Sequence, residues 1–96
     1  MSDILKEADM LAVVDRSRDY GPPLDNHRRI AGIWNVQCER VLAPGCKFTP
    51  DMVALMMIGV KLSRLVHSPT HRDSVVDICG YGKVWDVIQE ASETRR

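Results

Sequence analysis

The stretch Thr49–Tyr81 most constrains what this chain can fold into, because two helix starts are written into it. Thr49-Pro50-Asp51 offers an N-cap, a proline at the first helical position and an acid in the first turn. Thr70-His71-Arg72-Asp73 offers a second start, a capping pattern closed by an acid. Between them, Met52–Val60 is a run of nine residues without a charge. A helix apolar on every side is expected to be buried on every side. The same helix then turns basic at Lys61, Arg64 and His67, and the next opens with Asp73 and Asp77, four apart and so on one face. Cations closing a buried helix against anions opening its neighbour imply one of two things: an ion-pair lock, or a site for a charged ligand.

The rest of the chain reads as helices with short links. Ser2 or Asp3 can cap a first helix whose apolar positions are Ile4, Ala8, Leu11 and Val14, joined by Met10 and Val13. It decays into the charged run Asp15–Asp19, and Tyr20-Gly21-Pro22-Pro23 forces an ordered turn. A second helix is expected from Asp25 or Asn26, burying Ile30, Ile33, Trp34, Cys38 and Val41. His27, Arg28 and Arg29 fall in its first turn, where cations oppose the macrodipole; a bound anion would explain them, and so would neighbouring Asp19 and Asp25. Ala43-Pro44-Gly45 breaks the chain before a third helix over about 50–67, and Ser68-Pro69 stops that helix. Gly59 inside it costs about 1 kcal/mol against alanine, which close approach of another backbone would justify. A fourth helix is expected over about 71–91, with Val76, Ile78, Val84, Val87 and Ile88 inward and Gly80 and Gly82 demanding close packing or a bend. The tail from Glu90 to Arg96 is expected to fray. The expectation is therefore an all-α, four-helix antiparallel bundle in one domain, 1–96, with a core over about 3–91 and a polar tail over 92–96.

Composition narrows the function classes. Thirteen basic residues balance thirteen acidic ones, so a formal net charge of zero argues against sequence-independent nucleic-acid binding and against a polybasic membrane patch. It leaves room for a local basic pocket. An apolar content of 45% is generous for this length and suggests surface hidden in a homo-oligomer. Three cysteines without CxxC spacing argue against a disulfide framework or a zinc knuckle and for buried, reduced thiols. Met1–Asp9 is charged rather than leader-like, and Met52–Val60 is too short to cross a bilayer, so a cytoplasmic protein is expected. GxxxxGK, GxGxxG, GxSxG and HExxH are not present.

The charges on the third and fourth helices support two accounts. In one, Lys61 and Arg64 pair with Asp73 and Asp77 and pin the helix hairpin. In the other, Asp73 and Asp77 form a half-site for Mg²⁺, Lys61, Arg64, Arg29 and Arg16 hold phosphates, and Trp34 stacks on a base.

The pattern Asp19-Tyr20-Gly21-Pro22-Pro23, Asn26, Arg29-Ile30-Ala31, Trp34, Lys61, Arg64-Leu65 and Pro69–Ser74 with Asp77 and Gly80-Tyr81 resembles a family of small phage-encoded domains. Its closing motif, DSxxDxxGY, is similar to the metal-binding helix of the MazG-like all-α nucleoside triphosphate pyrophosphatases and of a related nucleotide-modification domain. That resemblance implies an oligomeric helical protein with a small-molecule nucleotide between helices 3 and 4. Asp73 and Asp77 would be metal-binding and catalytic. Arg16, Tyr20, Asn26, Arg29, Trp34, Lys61, Arg64, His71 and Tyr81 would bind the nucleotide. The earlier family motif, EExxE, is not matched; Lys61 and Arg64 stand where its acids would be expected. Three functions follow: a pyrophosphohydrolase, a non-catalytic nucleotide binder, or a helical interaction module.

Overall fold

The computed structural model describes residues 3–15, 18 and 21–94. Among them the chain is all-helical, with four α-helices and no strand. We number these α1 (Ile4–Asp9), α2 (Pro23–Gln37), α3 (Pro50–His67) and α4 (Arg72–Thr94). α1 continues without a break into a wider π-helical coil, Met10–Asp15.

Local chemistry sets the helix ends. Asp3 caps α1, its carboxylate accepting from Lys6 N at 3.0 Å. α2 begins earlier than expected: Gly21 (φ +84°) makes the turn, Pro22 is the cap residue and Pro23 takes the first helical position. α3 has the expected bounds, with Thr49 extended before Pro50 and Arg64 and His67 in the last turn, where cations suit the dipole. At the start of α4, Thr70 is exposed and His71 precedes the first helical residue, its Nδ1 2.7 Å from Ser74 Oγ. The tail expected to fray stays helical to Thr94.

α4 is the organising element. It packs on α1, α2 and most extensively α3. The core is Ala12, Leu24, Ala54, Val84 and Ile88, with Ala8, Ala31, Val53, Val76 and Tyr81 also buried. α1 packs against Gly80: a Cβ there would lie 3.7 Å from the Ala8 carbonyl oxygen, an ordinary van der Waals contact. Buried positions are thus mostly small, and many large apolar side chains lie outside. The Cα radius of gyration, 14.4 Å, exceeds the value of about 12.5 Å for a compact domain of this length.

Three expectations about burial are corrected. α3 is not buried all round: Met52, Leu55, Met56 and Val60 are exposed. α2 buries Leu24, His27 and Ala31 while Ile33 faces out, because the earlier start brings Leu24 into the helix and the core, and Ile33 lies on the side opposite that stripe; Val41, beyond the helix, is exposed too. His27, in that stripe, is 2% exposed and lies edge-on to Tyr81 at 6.3 Å. The cysteines are free and half-buried (Cys38, Cys79) or exposed (Cys46), not core residues. Among the described residues, no helix is long and apolar enough to cross a membrane.

Candidate functional site

The turn Ser68–His71 folds α4 back against α3 and brings one cation and one anion of the sequence pattern together. Lys61 Nζ lies 3.0 Å from Asp77 Oδ2, with side chains 16% and 21% exposed. The pair sits at the helix–helix seam with a wet edge. Its Coulomb gain is largely offset by desolvation, so it fixes register more than it adds stability.

The other members of the pattern do not join it. Arg64 and Asp73 are exposed and make no ion pair with the described residues. Arg29 is exposed on α2. Trp34, on the same helix, is half-buried and set edge-on against Phe48 at 5.6 Å, which fixes the α2–α3 link. Asn26 is half-buried in the first turns of α2, its N–H donating to the Pro22 carbonyl at 3.0 Å. Arg16 and Tyr20 lie outside the described residues.

The closing motif itself is largely accounted for by packing. Ser74 is fully buried and bonded to His71, Gly80 admits α1, and Tyr81 packs on His27. Asp77 is bound to Lys61. Asp73 alone has no structural partner among the described side chains beyond its proximity to Arg72, whose positive charge it favours. Within one chain these two carboxylates do not by themselves make the Mg²⁺ site that the resemblance implies. One carboxylate is neutralised and the other exposed, and among the described residues no three His, Cys, Asp or Glu side chains converge.

Two other polar features were not anticipated. Arg72 grips Glu7 through two bonds, Nη1–Oε1 at 3.2 Å and Nη2–Oε2 at 2.9 Å, tying α4 to α1. The guanidinium bonds hold the Glu7 carboxyl below the usual range. Asp51 joins the start of α3 to the far half of α4, accepting from Gln89 Nε2 at 3.1 Å. The Thr49 hydroxyl, then Gln89 and the Met52 N–H, bond the Asp51 carboxyl and lower it from its ordinary value. A hollow of about 240 Å³ opens under the α2–α3 link, lined by Asn35, Glu39, Cys46 and Lys47 among others. Asn35 shapes it, accepting from Phe48 N at 2.7 Å and donating to Phe48 O at 3.2 Å. An asparagine directly after the apolar run Ile30–Trp34 of α2 was the available signal.

Residues 3–89, nearly the whole chain, match the family described as a domain of unknown function, DUF6378. The chain belongs to the DUF6378 family. Among curated relatives, the Gene 55 protein of Mycobacterium phage L5 is 38% identical over 92 residues, which is 96% of this chain and 56% of that protein. The Gene 55 protein of Mycobacterium phage D29 is 33% identical over 88 residues, 91% of this chain and 54% of that protein. This DUF6378 chain therefore spans about half the length of the curated relatives it matches. No solved structure matches it. The expected kinship with a small phage-encoded family is thus met, at the level of DUF6378 and the phage Gene 55 proteins.

Proposed function

We propose that the chain works by binding, as a helical docking module of a phage protein in the infected cell's cytoplasm, with the outer face of α3 as its working surface. One observation carries this reading: six large apolar side chains, Met52, Leu55, Met56, Val60, Leu62 and Val66, stand 40–85% exposed along a single helix. At helical spacing they form one stripe, and no charged residue interrupts it. Depletion of charge with Met and Leu at the surface is the composition of an interface core. The test is site-directed photo-crosslinking during infection. A photoreactive residue at Leu55 or Val66 should give a discrete adduct, while one at Arg40, exposed beyond α2, should not. Adducts equal at all three positions, or at none, would sink the reading.

A second reading keeps the nucleotide. It is favoured by the Lys61–Asp77 pair, which leaves Arg64 and Asp73 exposed one turn away on either helix. A phosphate could replace Asp77 on Lys61 and recruit Arg64. Its finer form, a MazG-like pyrophosphohydrolase using Mg²⁺, rests on the DSxxDxxGY motif and needs acids that a second chain would have to supply. Thermal shift and pyrophosphate release with a panel of nucleoside triphosphates and Mg²⁺ decide it. No shift removes the nucleotide, and a shift without release leaves a binder.

A further inference from the structure

We propose that the occupant of the α3 face is the α3 of a second copy of this chain, the two helices crossing at Gly59; this rests on the docking reading above. Gly59 lies at the middle of α3 and on the exposed stripe, between Met52, Leu55 and Met56 on one side and Leu62 and Val66 on the other. A Cβ added at Gly59 would meet nothing within 4 Å among the described residues, so no contact among them explains a glycine there. Ser63, exposed one turn further on, extends the shallow strip. Glycine in a helix interior is unfavourable, and close approach of another backbone is what offsets it.

Position and self-complementarity point to a copy rather than a different partner. An isologous pair needs its two-fold axis within the patch, so that each residue meets its symmetry mate's neighbours. An axis at the middle of α3 lets the whole stripe of one copy cover the whole stripe of the other. Zero net charge removes long-range repulsion between copies, and a stripe without charges leaves none buried unpaired. By the usual size of these side chains, their exposed fractions amount to roughly 500 Å² per chain, so a pair would hide on the order of 1,000 Å², the lower end for a specific interface. A reversible dimer is the expectation.

The experiment is sedimentation equilibrium over a wide concentration range, with wild type and Gly59→Leu compared, and helicity followed by circular dichroism. Gly59→Leu improves helix propensity, and at this exposed position its Cβ meets nothing within 4 Å among the described residues, so the monomer is expected to fold at least as well. It nonetheless holds two helices apart. Wild type should dimerise, and Gly59→Leu should weaken dimerisation by at least about tenfold with helicity unchanged or raised. A wild type that stays monomeric at every concentration overturns the proposal, and so does a Gly59→Leu chain that dimerises equally well. The crosslinking at Leu55 separates this failure from that of the docking reading. An adduct of two copies supports the pair, an adduct with a different protein overturns the pair alone, and no adduct removes both.

Discussion

The two faces of α3 are built from opposite materials. The inner face, against α4, carries Val53 and Ala54, both fully buried, and Lys61 in its pair with Asp77. The outer face carries methionines, leucines and valines in water. Small inner residues let α3 and α4 approach closely, and a half-buried ion pair fixes which residues meet. Folding the single chain uses the inner face; the outer-face side chains keep 40–85% of their surface uncovered by it. On the docking reading proposed above, the exposed bulk on this helix is placed for an event after folding.

The contrast can be broken at neighbouring positions. Ala54→Leu overpacks the inner face and should cost about 2–3 kcal/mol in urea unfolding. A cost below about 1 kcal/mol would mean that the inner face is loosely packed. Lys61→Met leaves Asp77 half-buried without its partner and should cost about 1–2 kcal/mol. The double variant Lys61→Met, Asp77→Leu should recover most of that loss. Failure to recover, together with lost phosphate binding, would move the pair from lock to ligand site. Gly59→Ala should stabilise the dilute monomer by about 1 kcal/mol, since the position is open and helical.

Smaller effects sharpen the same picture. The Asp51 carboxyl, held below its ordinary value near 3.8 chiefly by the Thr49 hydroxyl, favours the folded state once ionised. Its contribution is fully present above that value and is lost as pH falls through the lower folded-state value. Asp51→Asn should flatten the acid limb of a stability profile below about pH 4, an effect under about 1 kcal/mol. Leu55→Ala, one residue from Ala54 but on the outer face, should change dilute-solution stability by less than about 0.5 kcal/mol.

Helix type and α3's boundaries were legible, because Thr49-Pro50-Asp51 and Ser68-Pro69 are strong local signals that packing had no reason to override. Which faces are buried was not. The stripe of α2 runs through Leu24, which precedes the expected start, and through the polar His27, and Ile33 lies on the side opposite to both. The charge-free run in α3 could not be told from a core helix, since an interface and a core share their composition. At the candidate site, sequence spacing set Lys61 and Arg64 against Asp73 and Asp77, and among the described residues one ion pair of that set, Lys61–Asp77, forms. It could not show that Ser74, Gly80 and Tyr81 are occupied by packing, because their partners, His71, Ala8 and His27, come mostly from other elements.

The most direct measurement is oxidation of individual methionines by dilute peroxide, followed by mass spectrometry at low and high protein concentration. Met52 and Met56 lie on the outer face of α3, while Met10, also exposed, lies on the coil after α1. The account predicts that Met52 and Met56 oxidise freely in dilute protein and become protected as concentration rises, with Met10 unchanged. Equal, concentration-independent oxidation at all three would contradict it.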